Sequence, residues 1–375
     1  MLSAIVFLLL SAYLTRALFN EARRRRAIQH IQGPLPSSWL LGNLVELQIP
    51  QIYGDFESAC RKAYGLVYRF KGGFGRDRLA ISDPKALQYI YNSAAFVNTP
   101  AYGTLIVWLL SEGGVSGKMG REHRELRSAL NVGFSPAAIR NYGVIFERVA
   151  QKLVDRLAAC MDENKHGVVD IVPLLTKAAL ASISEAALGV PLEEVPPEVV
   201  ETNRQIVEES ATRRPAQLIV DEILNLELLP GWLLRAMPKL AIGEVFKRIR
   251  DQVRYTERLG WQAVDSYMER GLDDSNALET LYGALLSDNK QGLGNLTVEN
   301  LVQQTSTLFI AGQETSAIAL SWLFTELARK PALQDALRTE ALELRAKQVP
   351  FEQYPLLNAA IKASYMALTK YLLFK

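Results

Sequence analysis

The longest apolar stretch of the chain is its first. Leu2 to Phe19 reads LSAIVFLLLSAYLTRALF and carries no charge before Arg16. At about 1.5 Å per residue, a helix of that length reaches roughly 27 Å, enough to span a thin bilayer. A cleavable signal would want a positive charge before the apolar run and a small-residue cleavage site after it, and neither is present. Arg23 to Arg26 follow directly, so the positive-inside rule places the body in the cytosol. The next segment, Gly33 to Leu44 (GPLPSSWLLGNL), contains Pro34 and Pro36, which deny helix and stiffen the chain. These patterns predict a membrane anchor over 1–20, a basic and proline-rich hinge over 21–46, and a body over 47–375.

Within the body, the period-2 signal is brief. LVYRFK (66–71) and RLAIS (78–82) are β-prone and separated by Gly72, Gly73 and Gly75, which predicts a hairpin. The glycines do not make a phosphate loop, because no Lys-Ser or Lys-Thr follows and no long helix opens there. After Asp83-Pro84 the pattern turns helical and mostly stays so, with breaks at Pro100, Gly113-Gly114, Pro136, Gly167, Pro191 to Pro197, Pro230, Pro238 and Gly292 to Gly294. The expected fold is mainly α with a small β-sheet. There is no fixed repeat, no alternation of strand and helix and no GxGxxG, which argues against a soluble dehydrogenase.

The strongest helical signal runs from Val298 to Lys330. Thr297 is positioned to cap it, Glu299 in the first turn meets the helix dipole, and Pro331 ends it. At 100° per residue, Gly312 and Thr315 fall within its apolar stripe, with Ala311 at the edge and Glu314 on the flank. A mid-helix glycine costs about 1 kcal/mol relative to alanine. Close packing of a second helix can recover that cost, with Thr315 bonding back to the carbonyl of Ala311. A flat ligand lying against the notch can recover it as well.

Composition narrows the function classes. The hydrophobic fraction of 49% and charged fraction of 22% describe a globular body. Four of the 42 basic residues form the Arg23–Arg26 run, and without them the 40 acidic residues are in the majority. That argues against a nucleic-acid partner. Two cysteines, Cys60 and Cys160, and three histidines, His30, His123 and His166, are too few and too scattered for a zinc site.

Ala311-Gly312-Gln313-Glu314-Thr315 resembles the oxygen-binding helix motif of the haem-thiolate monooxygenases, the cytochrome P450 superfamily. The surroundings resemble that family in order: the anchor, the hinge ending Leu41-Gly42-Asn43, YGLVYRF (64–70), LAISDPKAL (79–87), GREHRELRSALNVGFS (120–135) and LARKPALQDALRTE (327–340). Together they cover the chain from the anchor to about Lys362. The resemblance implies a haem b cofactor, a membrane bilayer and an NADPH-dependent reductase as partners, and an apolar small-molecule substrate, at the endoplasmic reticulum membrane. It gives Glu314 and Thr315 a role in relaying protons, and Ala311 and Gly312 a place against the haem. It makes His123 and Arg127, four apart on one helix face, contacts for the haem propionates; without it they read as a solvated face. It places a substrate-contacting loop at Leu105 to Gly117.

Two family features are missing. The family's iron is held by the cysteine of a Phe-x-x-Gly-x-x-x-Cys-x-Gly loop, and this sequence has no cysteine after Cys160. The Glu-x-x-Arg pair expected from position 363 is replaced by Ala363, Ser364, Tyr365 and Met366. The sequence therefore predicts a haem domain truncated before its cysteine loop, no metal ligand in this chain, and weak haem binding without activity. It also predicts that genomic sequence beyond codon 362 encodes both motifs. A second reading is a membrane-anchored helical binding protein that keeps the scaffold and has lost the haem.

Overall fold

The computed structural model describes residues 15, 19, 22–93, 95–99, 103, 107–163, 168–211, 214–226, 244–270, 279–290, 296–349 and 353–361. The predicted anchor lies almost wholly outside these residues. Among the described residues, no helix is long and apolar enough to cross a membrane. The chain divides into two compact units: one gathers described residues up to 99 together with 214–226, and the other takes 103–211 and 244–361.

The first unit is built on the predicted hairpin. Helices α1 (Leu44–Gln48) and α2 (Asp55–Tyr64) precede strands β1 (Val67–Lys71) and β2 (Asp77–Ile81), and α3 (Pro84–Asn92) follows. The strands pair antiparallel, from Val67 opposite Ile81 to Lys71 opposite Asp77. Asp83 accepts from the amide of Ala86 and Pro84 opens the first turn, so α3 starts where the Asp-Pro signal placed it. Leu41, Leu44, Cys60, Tyr68, Phe70 and Leu218 form the core of the unit. Burial, with smaller contributions from Cys60 and Glu57, pushes the Tyr68 hydroxyl up to about 12.

The proline segment is fastened to β1. The amide of Arg69 donates to Gln32 and its Nε to Ile31. Asn43, 1% exposed, exchanges bonds with Lys71 in both directions and donates Nδ2 to Leu35 at 2.8 Å. Gly42 has φ +60°, and a Cβ there would overlap the Lys71 carbonyl.

The turn end of the hairpin meets two buried carboxylates, one of its own and one from a later helix. Asp77 pairs with Lys71 at 2.7 Å and Arg69 at 2.9 Å, and Arg25 of the basic run lies 3.6 Å away. Burial alone would raise the Asp77 carboxyl, but the bonds from Lys71 and Arg69 prevail and hold it below the usual aspartate value. A depressed carboxyl stabilises the fold above its unfolded pKa, and that contribution is lost as pH falls through the folded one. Acid unfolding followed by circular dichroism should therefore weaken this unit below about pH 4. Asp77→Asn should flatten that limb of the curve.

Glu222 is the second carboxylate, on the later helix α9 (Pro215–Asn225). It accepts from the Gly73 amide at 3.0 Å and from Arg78 at 2.6 and 2.8 Å. The glycine turn thus presents its amide to a carboxylate of the chain itself.

The second unit is helical. It contains α4 (Gly120–Leu130), α5 (Pro136–Asn141), α6 (Gly143–Glu163), α7 (Val172–Ile183), α8 (Pro197–Ala211), α10 (Glu244–Arg270), α11 (Leu281–Lys290), α12 (Val298–Val302), α13 (Gln304–Ala328) and α14 (Pro331–Ala346). Pro136 opens α5, with Ser135 as its cap. A π-helical turn, Ser184–Leu188, continues α7 and places Glu185 at 3% exposure against Arg148. Phe309 and Tyr282 are fully buried in the core. The Tyr282 hydroxyl bonds the Leu301 carbonyl and Thr305, and burial raises its pKa despite the Thr305 bond.

Candidate active site

The helix expected over Val298 to Lys330 is interrupted. Thr297 caps α12 through the Asn300 amide, and Asn300 returns the bond, as in a capping box. A single residue, Gln303, then separates α12 from α13, its backbone still in the right-handed helical region. The side chains around the break turn outward to a neighbouring loop. Gln304 donates to the Gly113 carbonyl at 3.2 Å and accepts from the Val115 amide at 2.8 Å. Ser306 and Thr307 donate to the carbonyls of Leu109 and Leu110. Ser111, at φ +75°, donates to Glu257 of α10 at 2.8 Å. Thus the described part of the predicted substrate loop is held against the start of α13 by polar side chains, and Gly113 and Gly114 permit the approach: a Cβ at Gly114 would sit 2.6 Å from the Leu110 carbonyl oxygen.

Along α13 the buried line runs Phe309, Gln313, Ala317, spaced by four residues. Gly312 is half-buried and faces α7; a Cβ there would lie 3.0 Å from Ile183 Cγ1. Beside it, an apolar groove of about 470 Å³ is lined by Phe146, Val149 and Leu153 of α6, Ile183 of α7, and Gly312 and Leu320. A side chain larger than glycine at 312 must displace Ile183. The close-packing account of the notch is therefore realised by α7.

Thr315 does not share that burial. It was expected on the inward stripe, yet it is exposed, as is Ala311 one turn before it. The physical reason is Gln313: its carboxamide is bonded inside the protein, which turns the buried line toward Gln313 and leaves Ala311, Thr315 and Ile318 on an open face. The Thr315 hydroxyl donates to the Ala311 carbonyl at 2.7 Å. Glu314 is half-buried, on the flank as expected.

His123 and Arg127 lie on α4, one turn apart and exposed. Their neighbours pair with acids, Lys118 with Glu122 and Arg121 with Glu125. No hydrogen bond or ion pair engages the side chains of His123 and Arg127 among the described residues. Leu126 and Leu130, three and seven residues on from His123, bury the adjoining flank of the helix, so His123 and Arg127 border its packed side.

The two cysteines stand apart from this arrangement. Cys60 belongs to the core of the first unit, where burial, then Glu57 and Glu46, push its thiol up. Cys160 is half-buried in the last turn of α6. Neither sits in a glycine-bearing loop. Among the described residues, no group of three His, Cys, Asp or Glu side chains is placed to hold a metal ion.

The comparisons with known proteins bear on this geometry. The family model for cytochrome P450 matches residues 32–363. Among curated relatives, the chain is 25% identical to cytochrome P450 monooxygenase 91 of Postia placenta, over 87% of this chain and 62% of that protein. It is 22% identical to cytochrome P450 monooxygenase claQ of Ampulloclitocybe clavipes, over 90% of this chain and 63% of the other. It is 23% identical to ganoderic acid synthetase CYP5150L8 of Ganoderma lucidum, over 94% and 68%. The chain thus spans a little over three fifths of the length of such curated relatives. With the family model covering nearly the whole body, the chain belongs to the cytochrome P450 family.

Proposed function

We propose that this chain builds one wall of a haem monooxygenase site acting on apolar organic substrates. The observation that carries the reading is the open face of α13, where Ala311, Thr315 and Ile318 are exposed across the helix from the buried line Phe309, Gln313 and Ala317. A flat apolar group can lie there, beside a glycine. The unengaged donors of His123 and Arg127 suit two carboxylates, as on the edge of haem b. The iron ligand does not fit the residues present, since neither Cys60 nor Cys160 has the setting of a thiolate ligand.

Bound haem supplies the oxidising chemistry of this family. The residues of this chain bind and move protons. Thr315 gives its hydroxyl hydrogen to the Ala311 carbonyl, so its oxygen presents lone pairs to the open face and accepts a hydrogen bond there. To relay a proton, that hydroxyl would turn its hydrogen from Ala311 to the open face and take another in return, and Glu314 is the adjoining carboxylate that would take part in supplying it. The loop clamped by Gln304, Ser306 and Thr307 orients an apolar substrate. An NADPH-dependent reductase is the electron donor. The apolar amino terminus anchors the chain in the endoplasmic reticulum membrane with its body in the cytosol, so protease added to sealed microsomes should digest the body.

Haemin titration tests the site. The 375-residue chain is expected to bind haemin weakly. On reduction under carbon monoxide it should lack the red-shifted Soret band of a thiolate-bound haem. Arg127→Ala should weaken haemin binding ~10-fold, as loss of a charge-assisted hydrogen bond does. Thr315→Ala should leave the unfolding free energy within about 0.5 kcal/mol, since the residue is exposed. A thiolate spectrum would overturn the exclusion of both cysteines, and haemin binding indifferent to Arg127→Ala would remove α4 from the site.

A further inference from the structure

Gln313 is the residue of the notch that the hydrophobic pattern passes over. It is 3% exposed, and it ends a ladder of three buried carboxamides from three helices. Gln252 of α10 donates Nε2 to Asn203 Oδ1 at 3.1 Å. Asn203 of α8 donates Nδ2 to Gln313 Oε1 on α13. Asn203 and Gln252 are both fully buried. Thr256, one turn along α10, bonds back to the carbonyl of Gln252. At the far end, Gln252 Oε1 is buried without a partner.

Three apolar side chains of similar size would pack these helices without the risk of an unmade bond, so the ladder is a poor choice as mere filling. Its distinctive property is direction. A hydrogen bond fixes which way a side chain faces, whereas an apolar contact tolerates rotation and slip. On α13, successive residues stand 100° apart, so holding Gln313 toward α8 sets Thr315 about 200° away. The same constraint sets Gly312 toward Ile183 and Glu314 on the flank.

We propose that Gln313 is a positioning residue. Through Asn203 and Gln252 it fixes the rotation of α13, and it couples the presentation of Gly312, Glu314 and Thr315 to the placement of α8 and α10. A displacement of α10 strains the Gln252 rung, and Asn203 passes that strain to α13. The functional meaning rests on the monooxygenase reading above, while the coupling belongs to this chain without haem.

Amide hydrogen exchange on the full chain, without haem, tests the coupling. Gln252→Met removes the far rung, whose hydrogen bond goes to Asn203 and not to α13. Exchange of the Gly312–Ser316 amides should rise ~10-fold, the scale expected when a buried hydrogen bond restraining local opening is lost. Exchange in α6 should stay unchanged. Asn203→Leu should give the same rise, and the double variant should add nothing to it. Gln313→Met makes the cut from the other end and must raise exchange around Asn203 and Gln252; it serves as well should Gln252→Met fold poorly. A rise spread evenly over the whole unit, or confined to α10, or additive in the double variant, would overturn the proposal. Haemin titration of the same variants reads the haem site separately, so either reading can fail while the other stands.

Discussion

Replacing Glu222 with alanine should lower the unfolding free energy by about 3 kcal/mol, the low end for breaking a buried ion pair. The carboxylate is 2% exposed and both of its oxygens are engaged. Its removal strands the Gly73 amide in a buried turn and leaves the Arg78 guanidinium without its acceptors. Arg78 is 31% exposed, so water recovers part of the loss, which keeps the figure from the upper end. Glu222→Gln keeps one acceptor oxygen and should cost about half as much. Urea unfolding checks both: the midpoint should fall with the slope unchanged. Equal stability of Glu222→Ala and the parent chain would show that the hairpin tip does not depend on α9.

The second large effect is expected at Gly42. Gly42→Ala should cost about 3–4 kcal/mol from two additive causes. The residue sits at φ +60°, where a Cβ costs about 1–2 kcal/mol. Its Cβ would also overlap the Lys71 carbonyl and lie 2.6 Å from the Gly72 carbonyl oxygen, both rigid backbone. The strand must then retreat, and the reciprocal bonds between Asn43 and Lys71 stretch. Gly120 separates the two causes. It shares φ +60°, with no atom within 4 Å of its would-be Cβ. Gly120→Ala should therefore show the conformational cost alone. If the two variants lose the same stability in urea, the collision at Gly42 is relieved without cost.

These two sites also show where sequence reading succeeds and where it stops. The hairpin and the starts of α3 and α12 were legible because turns and caps are local: Asp83, Pro84 and Thr297 act on amides within three residues. The mainly helical fold followed from the same kind of signal. Glu222 was not legible, since a glutamate in the run Asp221-Glu222-Ile223 reads as a solvated face until Gly73 and Arg78 arrive from 149 and 144 positions away. Gln313 failed for the same reason. Hydropathy counts an amide as outward, but Asn203 and Gln252 supply partners that make its burial tolerable. With Gln313 buried, Thr315, about 200° further round the helix, falls on the open face. The Gln303 interruption likewise depends on the loop at Gly113, which helical periodicity does not register. The notch itself was legible because a mid-helix glycine is anomalous in any context, and here it sets Gly312 against Ile183 of α7. The direction in which its threonine points required the neighbouring helices.

The burial of Cys60 has a practical consequence for solution work. Thiolate is the form that alkylates, and a thiol pushed upward by burial and by acidic neighbours holds little of it at neutral pH. Cys160 is the thiol that water reaches. A maleimide dye added to the native protein is thereby directed to the last turn of α6, and a fluorescent reporter can be installed beside the helical core without first removing a competing cysteine.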